Sequence, residues 1–467
     1  MAKLSDLPTE ILLLVLSHFN HFMYKEELQA LCLSSRRLCS IAQPFLYKQF
    51  VREVHCQCCH KNGIPPGRIV PLVLFTRTLI SRPDLAACVR SANFDSSEDD
   101  FDDRDVRDAE FDADTFRVLA AGFQKLPAAC RARWFMNAAA MRSNPYLLVL
   151  ASQMLNLEHL QLTLGEEGLY DLEPLFTQWS STEQPYLKNL KSVVIRDLTF
   201  TESESMADLN SIMELPRLEE FTLIYLNGDA DGCPLFEIEP GSLNISTLSL
   251  REACLDSESL TAIVAGCKCL KDFSYYGRNY DGNNISDSCQ FDPSELVSIL
   301  SSQEDNLRTL RCNLDWEDIH PTHWSKCPKY GSFTSFKNLI HLEVDQYPYT
   351  AKQELPSSLQ CLTIRNISFP IFDVVGSLNM RTMDMPEYNL YVELPNLEHV
   401  TLQPRDDIPN GMLEVRARYD HWDIYDNPKV ASKFEFACET LWDIAKECAF
   451  SVRVEHEVWA IFRKHGF

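Results

Sequence analysis

Apolar residues near the start of the chain recur at the spacing of a helix. The first stripe consists of Ile11, Leu12, Val15, Leu16 and Phe19. Pro8 suits the first turn of this helix, because its missing N–H would be unpaired there. Two further stripes have the same spacing, first Leu28, Leu31 and Cys32 and then Leu38, Ile41, Ala42, Phe45 and Leu46. Pro44 should break or kink the last helix. The pattern predicts a unit of three short helices.

A second apolar pattern, at positions 0, +3 and +5 of each copy, occupies the centre of the chain. Its nine copies begin about 30 residues apart on average. They are Leu157/Leu160/Leu162, Leu190/Val193/Ile195, Leu218/Phe221/Leu223, Ile245/Leu248/Leu250, Leu270/Phe273/Tyr275, Leu307/Leu310/Cys312, Leu339/Leu342/Val344, Leu359/Leu362/Ile364 and Leu397/Val400/Leu402. Positions +3 and +5 lie on the same face of a strand. One unit cannot bury that face alone, so we expect neighbouring strands to stack into a parallel sheet.

The clearest unit runs from Ile245 to Tyr275. Its strand is followed by a predicted helix and then by the next strand. The inward residues of that helix are Leu260, Ile263, Val264 and Cys267. The alternation of strand and helix predicts an α/β fold.

The size of the N-terminal unit predicts a partner. A unit of roughly 45 residues buries too little surface to be stable alone without a disulfide, a metal or another surface. Its apolar stripes exceed what a core of that size can cover, so some of these residues should face a partner or the rest of the chain. An ordinary helical cap on the domain that follows is the alternative.

The same segment resembles an F-box, the module that joins substrate receptors to cullin-type ubiquitin ligases. The resemblance is carried by Leu7-Pro8-Thr9-Glu10-Ile11-Leu12, by Ser34-Ser35-Arg36-Arg37-Leu38 and by Pro44-Phe45-Leu46-Tyr47. It implies contacts to a Skp-family adaptor, and through it to a cullin, from Leu7, Pro8, Ile11, Leu12, Val15, Leu16, Leu31 and Leu33. It also implies that Arg36, Arg37 and Leu38 help to fix the last helix.

The stretch from Val73 to Arg90 resembles the helix and strand that follow the F-box in fungal-type F-box proteins with leucine-rich repeats. Arg82-Pro83 should end the helix before the strand from Leu85 to Val89. This resemblance implies that the nine copies are leucine-rich repeats. The Asn or Cys at +8 that ties successive repeats together is mostly absent, so the repeats should be irregular. The predicted fold is a three-helix F-box followed by an irregular leucine-rich-repeat solenoid with a parallel inner sheet.

We divide the chain into five segments on these patterns. They are an F-box at 1–50, a connecting helix and N-terminal repeat cap at 51–94, an acidic loop at 95–114, degenerate leucine-rich repeats at 115–405 and a C-terminal cap at 406–467. The cap should contain an amphipathic helix at 434–447 and a strand from Phe450 to Val454. Long interruptions at 276–305 and 313–334 are predicted loops.

Charge and composition exclude several classes of function. A net charge of −24 argues against nucleic-acid binding, which needs a basic surface. The segment 95–114 carries a local charge of −9 and is either a solvated loop or a docking patch for a basic partner. No apolar run reaches membrane-spanning length, and the first residues lack the basic region and the apolar core typical of a signal peptide, so we expect a soluble protein. Its 17 cysteines show no paired spacing, which favours reduced thiols in the cytoplasm or nucleus.

The sharpest chemical signal is a cluster of soft ligands, His55, Cys56, Cys58, Cys59 and His60. A tetrahedral zinc site usually takes ligands from two separated pairs, and the sequence has no second pair. We therefore expect a surface or half-buried loop, with a zinc-binding module as a weaker alternative. The sequence contains no phosphate-binding glycine loop and no nucleophile motif, so we expect no cofactor and no catalytic residue.

These patterns together predict the substrate-recognition subunit of a Skp–cullin–F-box ubiquitin ligase, in which the repeats bind an unidentified target protein. An adaptor-bound scaffold without ubiquitin-ligase output is the main alternative. Target-binding residues should lie in the loops or between the repeat leucines, where the strand positions include His159, Gln161, Glu219, Glu220 and Thr222. None of these five is singled out by the sequence.

Overall fold

The computed structural model describes residues 7–19, 24–51, 69–94, 113–124, 144–163, 187–198, 204–226, 238–277, 292–314, 328–346, 348–350, 353–365, 377–378, 381, 393–402 and 451–454. The chain forms two compact units, one from Met1 to Ile224 and one from Tyr225 to Phe467. Each unit contains parallel strands and helices, so the fold is α/β as predicted.

The first unit begins with three helices, α1 (Thr9–Ser17), α2 (Lys25–Ser34) and α3 (Arg36–Leu46). Helix α3 packs against both α1 and α2. Pro44 does not end α3, which continues to Leu46. The helix continues although Pro44 has no backbone N–H to donate to the carbonyl oxygen of Ser40. We call α1, α2 and α3 the N-terminal helical unit.

The remaining elements of the first unit alternate between strands and helices. They are β1 (Gln49–Val51), α4 (Ile69–Ser81), α5 (Pro83–Ala86), β2 (Ser91–Phe94), α6 (Ala113–Phe123), α7 (Asn144–Gln153), β3 (His159–Thr163), β4 (Ser192–Leu198), α8 (Glu204–Met213) and β5 (Glu220–Leu226). The last two residues of β5 belong to the second unit. Helix α4 packs against α6 and α7. Gly122 of α6 lies so close to α4 that a Cβ at this position would come within 2.5 Å of the Ile80 side chain.

The second unit continues the same alternation. Its elements are β6 (Thr247–Ala253), α9 (Ser257–Gly266), β7 (Asp272–Gly277), a 3-10 turn (Pro293–Glu295), α10 (Leu296–Ile299), a second 3-10 turn (Ser301–Gln303), β8 (Thr309–Asn313), β9 (His341–Asp345), β10 (Cys361–Arg365), β11 (His399–Leu402) and β12 (Ser451–Val454). Strands β6 to β12 pair in chain order, and every pairing is parallel.

The nine predicted strand units are confirmed residue by residue. Every residue at positions 0, +3 and +5 of the nine copies is buried. The pairing register also follows the pattern. Leu160 of β3 pairs with Val193 of β4 in the compact unit that ends at Ile224, and Leu248 of β6 pairs with Phe273 of β7 in the compact unit that begins at Tyr225. Position +3 therefore lies beside position +3 of the next strand, and the apolar side chains form continuous buried rows.

The sequence also contains a copy of this pattern that our search missed. Val89, Ala92 and Phe94 have the same spacing, are all buried, and lie before and within β2. The strand begins at Ser91, so the predicted strand from Leu85 to Val89 is wrong. Leu85 lies in the short helix α5, which Pro83 begins in a position where proline is favoured.

Asparagine side chains tie consecutive repeats together. In four repeats, the asparagine directly before the first apolar position donates a hydrogen bond to a backbone carbonyl oxygen of the preceding repeat. The accepting residue lies two positions before the first apolar position of that preceding repeat. These bonds are Asn156 Nδ2 to Ala87 O (2.9 Å), Asn189 Nδ2 to Leu155 O (3.0 Å), Asn338 Nδ2 to Asp305 O (2.7 Å) and Asn396 Nδ2 to Ser357 O (2.9 Å). The expected tie at +8 is thus replaced by asparagine at −1.

Helical turns occupy part of the predicted interruption at 276–305. Asp292 and Glu295 form a capping box at the first 3-10 turn, and Leu296 and Ile299 are buried behind it. Gln303 ends this stretch as a buried amide. Its Nε2 donates to Cys267 O (2.7 Å) and Val264 O (3.1 Å), so it caps the carboxyl end of α9.

Other predictions fall partly outside the described residues. Ala113 and Asp114, the end of the predicted acidic loop, belong to helix α6, and 95–112 lies outside the described residues. In the C-terminal segment, β12 agrees with the strand predicted from Phe450 to Val454, while the predicted helix at 434–447 lies outside. The position of residue 50 within β1 shows that the proposed boundary at 50 falls inside a strand.

Candidate functional site

The eight residues predicted to contact an adaptor separate into buried and exposed groups. Leu12 and Leu16 are buried, with 3% and 4% of their surface exposed. Leu7 and Leu31 are partly buried against the same core. Pro8, Ile11, Val15 and Leu33 are exposed, and Leu33 reaches 88%. The buried leucines hold the helices together, so only the exposed group is free to meet a partner directly.

The core of the N-terminal helical unit draws on all three helices. Leu12 and Leu16 of α1 meet Leu28 of α2 and Leu38, Ile41 and Ala42 of α3. Phe19, Cys32, Phe45 and Leu46 pack around this core. The positions follow the predicted inward stripes, with one difference in α1. Ile11 and Val15 share a stripe with Leu12 and Leu16 in the sequence pattern but lie outside the core.

Helix α1 therefore presents an apolar surface of its own. Ile11, Leu14 and Val15 are 43%, 59% and 44% exposed. At 100° per residue, positions i, i+3 and i+4 lie on one side of a helix, so these three side chains are neighbours. We call them the exposed stripe. Leu14 was missed in the sequence analysis, and the unbroken run Ile11-Leu12-Leu13-Leu14-Val15-Leu16 was the signal for it, because such a run cannot be buried on all sides of a surface helix.

Hydrogen bonds at the helix starts hold the exposed stripe in place. Ser35 caps α3, and its side chain accepts a bond from the backbone N–H of Leu38. The Arg37 guanidinium donates to the backbone carbonyl oxygen of Leu7 at 2.7 Å and to Thr9 Oγ1 at 3.4 Å. The start of α1 is thus fastened to the first turn of α3, in agreement with the predicted role of Arg37 in fixing the last helix.

The end of the helical unit is embedded in an aromatic cluster. Phe50 of β1 stacks on Phe75 of α4 at 4.1 Å between ring centroids and lies 5.4 Å from Phe94 of β2. Tyr47 stacks on Phe75 at 6.1 Å. Burial raises the pKa of Cys32 to about 11, with a further contribution from Cys39. The stacked rings pack Tyr47 and Phe50 against α4, whereas Cys32 packs against the core between the three helices.

The five candidate target-binding positions all lie in the first unit. His159 and Gln161 alternate with the buried leucines of β3, and Glu220 and Thr222 alternate with those of β5. Glu219 is exposed directly before β5. His159, Gln161, Glu220 and Thr222 therefore lie on the side of their strands opposite the apolar core, as alternation requires. No contact among the described residues distinguishes one of the five as a binding residue.

An ion-pair row lies next to His159. Glu158 accepts a 2.9 Å bond from Lys191 Nζ and lies 3.4 Å from Arg90 Nε. Lys191, followed by Arg90, holds the pKa of the Glu158 carboxyl below its ordinary value. The pairs join neighbouring repeats at partly exposed positions, so their contribution to stability is small.

The predicted metal ligands from His55 to His60 lie outside the described residues. In the part of the chain that the structure describes, no group of three or more His, Cys, Asp or Glu side chains could hold a metal ion. Within the same residues, no helix has both the length and the apolar character needed to cross a membrane.

No protein-family model matches this chain, and no curated protein matches it.

Proposed function

We propose that this chain is the substrate-recognition subunit of a Skp–cullin–F-box ubiquitin ligase. The N-terminal helical unit would bind the Skp-family adaptor, and the strand repeats would hold a target protein. The chain itself would supply no catalytic residue, because ubiquitin transfer would be performed by other subunits on a target held close to them. The free cysteines among the described residues fit a reducing compartment, so we propose a cytoplasmic or nuclear location.

The observation that carries this proposal is the exposed stripe on α1. Its three apolar side chains remain exposed although the core beside them is complete. Leaving them in water is unfavourable, and covering them on binding would stabilise a complex by roughly 25 cal/mol for each Å² of apolar surface removed from water. Leu33 of α2 adds a fourth exposed apolar side chain to these three. The F-box resemblance names the adaptor as the partner for these residues.

The strand units support the second half of the proposal. Nine buried triads at an average repeat of about 30 residues support this proposal, because leucine-rich repeats have a period of roughly 20–29 residues. The buried rows leave the opposite side chains of each strand available for contact with a target. Repeat proteins present binding surfaces in this way, because each repeat adds a few side chains to a common face. We therefore propose that these units are irregular leucine-rich repeats.

The test is co-purification of the full chain with a Skp-family adaptor. Ile11→Asp and Leu14→Asp place a charge in the exposed stripe, and we expect adaptor recovery to fall at least about tenfold, equivalent to about 1.4 kcal/mol. Leu13→Asp is the matched control, because Leu13 is 42% exposed on the same helix but points away from the stripe. Leu12→Asp is unsuitable, since a charge at this buried position would disrupt the core.

The outcomes separate the candidate functions. Failure of the unmodified chain to retain the adaptor, or equal loss with Leu13→Asp, would contradict the F-box proposal. Recovery of the adaptor without a cullin, with no protein accumulating when residues 1–50 are deleted, would favour an adaptor-bound scaffold. Metal analysis of the dialysed chain decides whether the cluster from His55 to His60 binds zinc, and a metal-free protein excludes that module.

A further inference from the structure

Two cysteines lie close together at the junction between α2 and α3. Cys32 belongs to the last turn of α2 and Cys39 to the first turn of α3, and Ser35 is the single residue that separates the two helices. The backbone N–H of Cys39 donates to Ser35 O at 2.8 Å, which holds this residue next to the junction. We call Cys32 and Cys39 the junction thiols.

The packing of α2 against α3 makes the two side chains neighbours. Cys32 packs against the core between the three helices, on the same side of α2 as Leu28, which lies four residues earlier. Cys39 lies three residues before the buried Ala42, and residues at that spacing share one side of a helix. The Cys39 thiol also helps to raise the pKa of Cys32, through its charge and a hydrogen bond. The two sulfur atoms are therefore within reach of each other.

A small oxidant can reach both junction thiols. Each is half-buried, whereas Cys254, Cys267 and Cys312 are buried. Disulfides in a reducing compartment are mostly transient and serve to sense oxidants. Two free, partly accessible thiols on a pair of packed helices are suited to form such a bond.

We propose that the junction thiols form a reversible disulfide in the presence of hydrogen peroxide, and that this bond weakens binding of the adaptor. The Cys39 sulfur attacks the O–O bond, which gives a sulfenic acid, and the released hydroxide takes the thiol proton to become water. The Cys32 sulfur then attacks the sulfenic sulfur, forms the S–S bond and releases a second water. The two thiols lose two electrons and two protons, and one peroxide is reduced to two water molecules.

The environment of Cys32 sets the order of these steps. Burial raises the pKa of Cys32 to about 11, so this thiol is protonated near neutral pH and is a poor first nucleophile. We therefore assign the first attack to Cys39. A thiol with a raised pKa is also a poor leaving group, so a reductant that attacks the Cys39 sulfur breaks the disulfide slowly.

The disulfide acts on the surface proposed to bind the adaptor. Cys32 lies between Leu31 and Leu33, two of the residues that the F-box resemblance assigns to the adaptor. An S–S bond requires the sulfur atoms to approach to about 2.0 Å, so α2 has to shift against α3. Since α1 also packs on α3, the shift moves Leu33 relative to the exposed stripe. This inference adds a regulation to the proposed function and rests on it for the identity of the partner.

The first measurement is chemical and needs no adaptor. The reduced full chain is treated with hydrogen peroxide, its remaining thiols are alkylated, and its non-reduced tryptic peptides are mapped by mass spectrometry. Because trypsin cleaves after Arg36 and Arg37, a bond between the junction thiols joins two separate peptides. We expect this cross-link to form and to disappear with a reductant. Cys39→Ser should abolish it. Cys88→Ser is the matched control and should keep it, because Cys88 is a half-buried cysteine outside the helical unit.

The second measurement compares adaptor recovery by the reduced and the oxidised chain, with peroxide removed before the adaptor is added. Oxidation should lower recovery by roughly fivefold or more, which is a usual size for coupling between two sites. A reductant should restore recovery. Cys39→Ser and Cys32→Ala should bind the adaptor equally well before and after treatment, whereas Cys88→Ser should respond like the unmodified chain.

The proposal is overturned if peroxide leaves both junction thiols free, or if either pairs mainly with a different cysteine. It is also overturned if the disulfide forms and adaptor recovery is unchanged or higher, or if Cys39→Ser loses recovery as the unmodified chain does. Failure of the reduced chain to retain the adaptor contradicts the function proposed above, and the peptide map then still decides whether the disulfide forms.

Discussion

The guanidinium of Arg37 donates a 2.7 Å hydrogen bond to the backbone carbonyl oxygen of Leu7, which lies thirty positions earlier in the chain. This bond joins the first turn of α3 to the residues that precede α1. Because the exposed stripe begins at Ile11, the bond also helps to set the direction of the surface proposed to bind the adaptor.

Replacing Arg37 should loosen α1 and leave the rest of the unit folded. We expect Arg37→Ala to lower the free energy of unfolding of the helical unit by about 1 kcal/mol, since the bond is charge-assisted but exposed to water. Hydrogen exchange of the α1 amides would measure this change. Arg36→Ala is the control, because neighbouring Arg36 is exposed and has no hydrogen bond or ion pair to any described residue. Equal exchange in the two variants would contradict the role of Arg37.

Two leucines of α2 offer a direct test of the core. Leu28 is fully buried and Leu33 is 88% exposed. Leu28→Ala should destabilise the helical unit by about 2–5 kcal/mol, because it removes apolar contacts and leaves a cavity. Leu33→Ala should change stability by less than about 0.5 kcal/mol and instead weaken adaptor binding. Chemical denaturation measures the first effect and co-purification the second. A large loss of stability from Leu33→Ala would mean that Leu33 is covered within the chain.

Asn338 should contribute more to stability than the ion pair beside it. Its side-chain amide donates to the backbone carbonyl of Asp305 at 2.7 Å, whereas Lys337 reaches the Asp305 carboxylate at 3.7 Å with both side chains mostly exposed. We expect Asn338→Ala to cost roughly 0.5–1 kcal/mol in thermal or denaturant unfolding. Lys337→Ala should have no measurable effect. If the two variants behave alike, the asparagine does not act as a tie between repeats.

The thiols of Cys267 and Cys269 should differ in reactivity. Burial raises the pKa of Cys267 to about 12, while Cys269 is exposed. Because thiolate is the reactive form, iodoacetamide at pH 8 should modify Cys269 and spare Cys267 in the folded chain, as mass spectrometry can show. Rapid labelling of both at pH 8 would contradict this burial.

The same shift predicts a dependence of stability on pH. The pKa of Cys267 is higher in the folded chain than its ordinary value of 9.0. The protonated thiol therefore contributes its full stability below pH about 9, and this contribution is lost as the pH rises towards 12. Denaturant unfolding between these pH values should show the decline, and Cys267→Ala should reduce its slope. An unchanged slope would assign the decline to other groups.

The strand positions could be predicted from the sequence because two constraints coincide in each repeat. A strand alternates its side chains between two faces, and stacked repeats must all bury the same face. Leu248 and Leu250 are therefore recognisable without knowledge of their neighbours. The copy at Val89, Ala92 and Phe94 was missed because it contains alanine, whose small side chain weakens the apolar pattern although the residue is buried.

Which apolar residues of α1 are covered could not be settled in the same way. Ile11 and Leu12 are adjacent and equally apolar, yet only Leu12 faces α2 and α3. Burial of a helical residue depends on where the neighbouring helices pack, and the spacing within one helix does not contain that information.

The sequence by itself determined the helical start, the nine strand units and the alternation that makes the fold α/β, because these depend on periodicity within short segments. Only the tertiary structure decided that Asn338 bonds to Asp305 and that Arg37 bonds to Leu7. Such contacts join residues far apart in the chain, and the parallel register of the strands and the packing of the helices bring them together.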